Sequence, residues 1–170
     1  MSGKLARWNA LATRAAVDEI LPCCGCEDWA GEMVLKRPIA DESTLLKTAD
    51  EIWRSLGESD WLEAFRSHPR IGETNSEKEA TAKSSAWSAE EQQSAAAKDD
   101  AVRAALKSAS RKYEKKFGRI FIVCATGKSA SEILEILRRR LDNDEATELR
   151  QAAEEQRLIM QIRLRKWLAE

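Results

Sequence analysis

The sequence predicts an all-α fold, a single-domain compact helical bundle with one short extended segment near residues 120–125. Seven glycines and three prolines interrupt 170 residues, which otherwise hold abundant Ala, Leu, Glu, Lys and Arg, the residues that favour helix. Apolar residues recur at spacings of three and four along much of the chain. The length and the hydrophobic content of 43% suit one domain over residues 1–170, because no break in composition divides them.

Composition and charge exclude several classes of function. Lys and Arg total 28 against 29 Asp and Glu, a formal net charge of -1 that gives no overall attraction to nucleic acid or to an anionic membrane. The run Arg138-Arg139-Arg140 is balanced by acids on adjacent turns. No apolar run approaches the length of a membrane span, and the first residues lack the apolar core of a secretory signal. We therefore expect a cytoplasmic protein with neither nucleic acid nor membrane as partner.

The cysteines do not form a recognisable metal or disulfide pattern. Three of the four lie in Cys23-Cys24-Gly25-Cys26 and the fourth is Cys124, which is neither a pair of CxxC motifs nor a spaced disulfide framework. Adjacent cysteines rarely share one tetrahedral ion, so structural thiols are preferred over a metal or redox role. The sequence therefore predicts no metal site.

In the N-terminal half, the spacing of apolar residues predicts three helices. The first ends at Pro22, which cannot continue a helix. Its single apolar stripe consists of Leu5, Trp8, Leu11, Ala12, Ala15 and Ala16. Asp41 can cap the second, which Gly57 ends. Ser59 is placed to cap a third, short helix that leads directly to His68.

The middle of the chain combines a polar stretch with a capping motif. Residues 73–85 lack large apolar side chains, which predicts a surface loop or a loosely ordered helix that could act as a flap. Ser88 and Glu91 have the spacing of a capping box and predict the start of a long helix that reaches Lys116. Phe117-Gly118 should end this helix, so the apolar run at 120–125 reads as a buried extended segment.

Two more helices are predicted after this segment. Ser129 and Glu132 form a second capping pair, and Asn143 or Asp144 begins a last helix that extends to about Leu168. The preceding Thr126-Gly127-Lys128-Ser129 resembles the end of a phosphate-binding loop. The glycine that this loop needs five residues before Gly127 is replaced by isoleucine, so we reject nucleotide binding.

His68 is the only histidine in the chain, and it lies in Phe65-Arg66-Ser67-His68-Pro69-Arg70-Ile71-Gly72-Glu73. Histidine titrates closer to physiological pH than other side chains, and a following proline favours an extended backbone at His68. Gly72 allows a tight turn, so a stiff loop should present the imidazole instead of burying it along a packed face. Proton chemistry and a simple packing role both remain open on this evidence.

Arg163 is the second candidate because of its position on the last helix. Ala152, Ala153, Met160, Leu164 and Trp167 share one side of that helix, and Arg163 and Gln156 project into the same arc. A guanidinium on a buried face is costly unless it is paired, and its planar donors suit a carboxylate or a planar amide-like ligand. An internal salt bridge and a ligand contact are equally compatible with this pattern.

With these motifs in view, the chain resembles the OHCU decarboxylases, which act on 2-oxo-4-hydroxy-4-carboxy-5-ureidoimidazoline (OHCU) in urate breakdown. The resemblance covers most of the chain. Its most specific parts are His68-Pro69-Arg70-Ile71-Gly72, Ser88-x-x-Glu91-Gln92, Phe117-Gly118, Phe121-Ile122-Val123-Cys124-Ala125, Gly127-Lys128-Ser129 and Ile162-Arg163-Leu164. Several ordered motifs at workable spacings are more specific than any one of them alone.

The resemblance implies an all-helical, cofactor-free lyase, commonly a homodimer, that converts OHCU to (S)-allantoin. His68, Glu91 and Arg163 are the implied catalytic residues: proton donor, acceptor for ureido or ring N–H groups, and charged clamp. The implied substrate-binding residues are Pro69, Ser88, Ala89, Glu90, Glu91, Gln92, Phe121, Ile122, Val123, Cys124 and Ala125. A non-catalytic helical module that binds a ureide or a partner is the alternative, and a helical scaffold with only internal ion pairs is a third hypothesis.

Overall fold

Local capping interactions delimit most helices of this computed structural model, which describes residues 3–72, 82–93 and 99–170. Over these residues the chain forms nine α-helices and no β-strand, which confirms the predicted all-α class. They are α1 (Gly3–Ala10), α2 (Thr13–Ile20), α3 (Glu27–Leu35), α4 (Glu42–Ser55), α5 (Glu58–Arg66), α6 (Ala82–Glu91), α7 (Asp100–Phe117), α8 (Ala130–Arg140) and α9 (Glu145–Ala169). Residues 120–125 are all buried, as the sequence predicts, and they form no strand.

The chain divides into two compact units. The first comprises Met1–Ala64 and Arg157–Glu170, and the second comprises Phe65–Gln156. His68 and Glu91 belong to the second unit, and Arg163 belongs to the first. The sequence interpretation of one domain over residues 1–170 stays a prediction.

The prediction of one long first helix is wrong, because the chain breaks between α1 and α2. Ala12 is extended there, with φ -58° and ψ 150°. Arg37 explains the break: its Nη1 donates to the carbonyl oxygens of Trp8 and Leu11, each at 2.8 Å. These acceptors lie at the end of α1, where carbonyls lack partners within the helix. A side chain 26 or more residues away thus satisfies groups that a continuing helix would have used.

Four tryptophans form much of the core of the first unit. Trp8, Trp29, Trp53 and Trp167 are each 2% exposed or less. The rings of Trp8 and Trp167 meet edge to face with centroids 5.8 Å apart, and Trp29 Nε1 donates to the Ala49 carbonyl oxygen at 3.3 Å. Buried aromatic rings contribute large apolar areas and need a partner for each polar N–H. This core supports the C-terminal half of α9, on which Trp167 lies.

Cap predictions in the first unit are partly confirmed. Asp41 caps α4 as predicted, since its Oδ1 accepts from the Thr44 N–H at 2.8 Å. The prediction for Ser59 is wrong, because α5 begins one residue earlier, at Glu58. Asp60 Oδ2 instead accepts from the Gly57 N–H at 3.1 Å. An acceptor after the helix start has therefore replaced the predicted serine cap.

Helices α7 and α8 supply most of the core of the second unit. Gly118 ends α7 in the left-handed conformation, with φ +66°, as Phe117-Gly118 predicts. The Ser129 and Glu132 capping box at the start of α8 is present with both of its hydrogen bonds. The buried apolar cluster consists of Leu106, Ala109, Tyr113, Phe117, Phe121, Val123, Ala125, Ile133, Leu134 and Leu137. The irregular segment 120–125 thus contributes directly to this core.

The remaining predictions concern α6, α7 and α9. Helix α9 begins after Asp144 and ends at Ala169, close to both predicted limits. Of the stretch predicted as a loop or flap, residues 73–81 lie outside the described residues and 82–85 belong to α6. The long helix predicted from Ser88 is wrong: α6 ends at Glu91, and α7 begins later, with Asp99 as its cap.

The acid sensitivity of two helix caps gives a first prediction. Main-chain N–H groups of Thr44 and Thr147 donate to Asp41 and Asp144 and lower the pKa of each carboxyl below its ordinary value of 3.8. Because the folded pKa is the lower one, each cap contributes stability above about pH 4 that is lost as the pH falls through the folded pKa. The variant Asp41→Asn/Asp144→Asn, which keeps a capping oxygen at every pH, should lose less thermal stability than wild type on acidification.

Circular dichroism melting curves between neutral and strongly acidic pH measure this difference. Asp142→Asn removes the same charge at an exposed site next to the start of α9 and serves as the control. Equal acid sensitivity of the double variant and the control would contradict the assignment to the caps.

Candidate active site

His68 lies on the turn that follows α5, as the sequence predicts. Its N–H donates to the Phe65 carbonyl oxygen at 3.1 Å, which closes the turn directly after the helix. The expectation that the loop keeps the imidazole off packed surfaces is wrong: His68 is 6% exposed, and its neighbours Ser67 and Pro69 are buried as well. The only histidine of the chain therefore lies in a site largely closed to solvent.

The loop after His68 is held at three points. Arg70 forms a two-pronged ion pair with Glu114 of α7, with Nε to Oε1 at 2.7 Å and Nη2 to Oε2 at 3.0 Å. The Gly72 N–H donates to Gln92 Oε1 at 2.8 Å, at a backbone φ of +85° that suits glycine. Ile71 packs against the apolar cluster of the second unit. These contacts join the histidine loop to α7 and to the end of α6.

The end of α6 presents a buried polar face. Ser84, Ser88 and Glu91 are at most 8% exposed, and their spacings of four and three residues place them on one side of the helix. The interpretation of Ser88 as a helix cap is therefore wrong, because it lies within α6. Buried polar side chains need polar partners. The signal that sequence reasoning missed is Ser84, which lies one helical turn before Ser88.

The other predicted residues of this stretch differ in exposure. The side chains of Ala89 and Glu90 are exposed, whereas Gln92 is half-buried and holds Gly72. Only part of the predicted stretch thus lies on the buried face of α6.

Segment 121–125 is held by side chains that contact its main chain. Arg140 Nη1 donates to the Ile122 carbonyl oxygen at 2.6 Å. The Cys124 N–H donates to Glu155 Oε2 at 2.7 Å, and Lys128 Nζ donates to the Cys124 carbonyl oxygen, also at 2.7 Å. Sequence reasoning missed these three supporting residues, because nothing in their local pattern relates them to the segment.

Val123, at the centre of this segment, is buried. No hydrogen bond formed by the described residues involves its N–H or carbonyl group. Buried main-chain groups are almost always paired, with protein, water or ligand. This short stretch therefore offers one donor and one acceptor to a planar amide-like molecule.

The Glu91 carboxylate affects the pKa of the Cys124 thiol in this segment. Burial is the main factor that raises the pKa of the Cys124 thiol, and the carboxylates of Glu155 and Glu91 raise it further. Lys128 acts in the opposite direction. Glu91 is therefore close enough to Cys124 to influence its protonation. The histidine loop, the end of α6 and segment 121–125 accordingly form one neighbourhood in the second unit.

Arg163 is fully buried in the first unit. Its Nη1 donates to the Pro22 carbonyl oxygen at 3.3 Å, at the turn that carries the cysteine motif. The nearby Cys24 thiol has its pKa raised mainly by burial, with Cys26 and Cys23 adding to the effect and Arg163 opposing it. The predicted clamp is thus a buried cation.

The cysteine motif itself is buried and reduced. Cys23, Cys24 and Cys26 are fully buried free thiols, and burial is the main factor that raises the pKa of Cys26 to about 11. Cys26 also caps α3, since its Sγ accepts from the Trp29 N–H at 3.4 Å. Within the described ranges no group of three or more His, Cys, Asp and Glu is arranged to hold a metal ion. A structural role therefore explains these thiols.

Comparison with known proteins identifies the family. The model of the OHCU decarboxylase family matches residues 9–165. This chain belongs to the OHCU decarboxylase family. A solved structure of an OHCU decarboxylase in the presence of (S)-allantoin is 34% identical, with a TM-score of 0.77 over 90% of this chain and 99% of that one. The predicted resemblance is confirmed.

Two curated relatives in the family are longer than this chain. The uric acid degradation bifunctional protein TTL of Arabidopsis thaliana is 36% identical over 160 residues, which are 92% of this chain and 48% of the relative. The uric acid degradation bifunctional protein of Bacillus sp. (strain TB-90) is 31% identical over 143 residues, 81% of this chain and 27% of the relative. This chain therefore spans about half of one relative and a quarter of the other.

A more distant solved structure agrees in fold. An (S)-allantoin synthase is 15% identical, with a TM-score of 0.71 over 96% of this chain and 53% of that one. At this identity the likeness establishes the fold alone. No helix among the described residues is long and apolar enough to cross a membrane.

The Arg70–Glu114 ion pair gives a second prediction. In Arg70→Met the histidine loop loses its attachment to α7, so the Gly72 amide should exchange about tenfold faster with solvent. The side chains are 36% and 27% exposed, so solvent screening limits the loss of stability to about 1 kcal/mol or less. Hydrogen exchange with peptide resolution and thermal melting measure the two effects.

Arg103→Met is the matched control, because it removes the exposed ion pair with Asp100 on the same helix, α7. An unchanged exchange rate at Gly72 in Arg70→Met would mean that Gln92 and Ile71 hold the loop without the ion pair.

Proposed function

We propose that this protein is a cofactor-free carboxy-lyase that converts OHCU to (S)-allantoin. The observation that carries this proposal is the 34% identity and TM-score of 0.77 to the OHCU decarboxylase solved in the presence of (S)-allantoin, over 99% of that chain. The neighbourhood of His68, Glu91 and segment 121–125 supports it, because a closed, polar site suits a small planar substrate.

The substrate itself can support the chemistry. When the bond to the carboxylate breaks, carbon dioxide leaves and the electron pair passes into the imidazolone ring system, which delocalises it. The protein must then supply a proton on one face of the ring carbon, contacts to the ureido and ring amides, and donors that favour the developing enolate. The proposed mechanism therefore requires no pyridoxal phosphate, thiamine or metal.

His68 is the proposed proton donor. It is buried at a turn whose backbone is fixed by Phe65, and the loop after it is held by Arg70 and Gly72. A donor fixed in this way delivers its proton from one direction, which explains a single enantiomer of the product. Pro69, which is also buried, would contact the substrate beside His68.

Glu91 and the main chain are the proposed contacts to the amides. A carboxylate accepts from N–H groups on both oxygens, and the Glu91 side chain lies on the buried face of α6 with Ser88. The main chain of Val123 supplies one donor and one acceptor within segment 121–125. Gln92, which holds the histidine loop at Gly72, would contact the substrate beside that loop. Ala89 and Glu90 would contact it through their main chain only, since both side chains are exposed.

Arg163 is the proposed charged clamp for the anionic substrate. Its guanidinium is fully buried, and buried arginine is strongly suited to two-pronged binding of a carboxylate. We further propose a cytoplasmic homodimer, as the resemblance implies. Sedimentation analysis of the purified chain tests the dimer.

The role of His68 gives a third prediction. His68→Ala should stay folded and lose roughly 100- to 10,000-fold in kcat, the usual contribution of a positioned acid. OHCU is generated from urate with the upstream enzymes, its decay is followed by ultraviolet absorbance, and chiral allantoin is followed by circular dichroism. Wild type should give one enantiomer rapidly, whereas the variant should give slow, racemic product.

The same assay separates the enzyme from a binding module. Wild-type decay no faster than the uncatalysed background, together with tight binding of (S)-allantoin, would replace the decarboxylase with the ureide-binding module. Equal activity in wild type and His68→Ala would leave the decarboxylase standing and remove His68 as its proton donor.

The role of Arg163 gives a fourth prediction. Arg163→Lys keeps the charge but loses the planar fork, so KM for OHCU should rise by about tenfold or more while kcat changes less. Arg165→Ala is the control on the same helix, because its side chain is 54% exposed and lies 3.6 Å from Glu42. A fall in kcat at unchanged KM would assign Arg163 to the chemical step instead of substrate capture.

A further inference from the structure

We propose that Arg140 is a positioning residue for the proposed substrate-binding segment 121–125, acting through the Ile122 carbonyl group. This inference rests on the proposed function and extends it to Arg140, which contacts segment 121–125 but is not one of the proposed catalytic or substrate-binding residues. Arg140 is 4% exposed and lies at the end of α8. It contacts the segment through the Ile122 main chain and the Phe121 ring.

Two contacts connect Arg140 with the segment. Its Nη1 donates to the Ile122 carbonyl oxygen at 2.6 Å, and its guanidinium carbon lies 4.5 Å from the centre of the Phe121 ring. One guanidinium thus fixes the carbonyl of one residue and the ring of the residue before it. Val123, whose main chain has no hydrogen-bond partner among the described residues, follows immediately in the sequence. Movement at Ile122 would therefore move the groups proposed to bind substrate.

Glu148 fixes the position of the Arg140 guanidinium. Arg140 donates from Nε at 2.9 Å and from Nη2 at 2.6 Å to Glu148 Oε1, which also accepts from the Tyr113 hydroxyl at 2.6 Å. Asn143 Nδ2 donates to Glu148 Oε2 at 2.8 Å. Glu148 is fully buried. Groups from α7, α8 and the turn before α9 therefore converge on this carboxylate of α9, which determines where the guanidinium lies.

A buried ion pair is a poor way to stabilise a core. Removing two charges from water costs more than their attraction often returns, and apolar side chains of similar volume can stabilise as well or better. The best-attested use of such pairs is to fix one arrangement among several. Here the arrangement that is fixed is that of the irregular segment, since Nη1, the guanidinium nitrogen that does not bond to Glu148, donates to Ile122.

The decisive variant removes the positioning contact without leaving a buried charge. Arg140→Met/Glu148→Gln replaces the cation with an apolar chain and the carboxylate with an amide, which still accepts from Tyr113. We expect its unfolding temperature to stay within a few degrees of wild type. A purely structural ion pair predicts normal activity in such a variant, whereas a positioning role predicts a loss.

Three measurements on the 170-residue chain follow. Amide exchange at residues 121–125 should be faster than in wild type, affinity for (S)-allantoin by calorimetry should fall about tenfold, and kcat/KM for OHCU should fall about 100-fold, the usual effect of a misplaced site. Arg138→Met is the matched control, because it removes the same charge from an exposed position of the same helix, α8. This control should leave all three values within about twofold of wild type.

Each outcome decides the proposal. Wild-type kcat/KM and allantoin affinity in the folded double variant, or unchanged exchange at 121–125, would overturn it. If the double variant does not fold, Arg140→Lys decides: it keeps a charge for Glu148 but loses the planar fork that bonds to Glu148 and Ile122 at the same time, and wild-type activity in it would overturn the proposal.

Failure of the proposed function is distinguishable from failure of this inference. Wild type that does not decarboxylate OHCU ends the proposed function, whereas the exchange rates and the (S)-allantoin affinities still decide the role of Arg140.

Discussion

The main constraint on the second unit is a buried stretch of main chain that is not helical. Residues 120–125 are at most 6% exposed, yet they have no regular structure to pair their N–H and carbonyl groups. Each such group costs free energy unless it finds a partner. Arg140, Lys128 and Glu155 supply partners from α8, the turn before it and α9. The placement of these three charged residues follows from that need.

The first unit meets a similar need at its helix ends. Arg37 satisfies carbonyl groups at the end of α1, and the Asn9 side chain accepts from the Ile39 N–H at 3.0 Å and donates to the Ile39 carbonyl oxygen at 2.8 Å. These contacts stabilise the chain around α1 and α2, which with eight residues each are too short to be stable alone. Polar side chains therefore fix the path of the main chain beside the tryptophan core of this unit.

Family membership and the geometry of the site support the proposed reaction independently of each other. The family model and the 34% identical structure relate nearly the whole chain to OHCU decarboxylases. Independently, the structure places a buried histidine loop, a buried carboxylate and segment 121–125, with the main chain of Val123, in one neighbourhood. A decarboxylation whose substrate delocalises the electron pair needs little more than this from the protein, because positioning and one proton donor are sufficient.

The all-α class, the caps at Asp41 and Ser129, the glycine stop at Gly118 and the turn that carries His68 could be predicted from the amino-acid sequence. The caps, the stop and the turn depend on groups within about four residues of each other, so their pattern is visible in the chain. The break before α2, the burial of Ser88 within α6 and the network around Glu148 could not be predicted in this way. Arg37 acts across 26 or more residues, Arg140 across 18 and Tyr113 across 35. Contacts at such separations leave no local pattern, because they arise only when packing brings distant segments together.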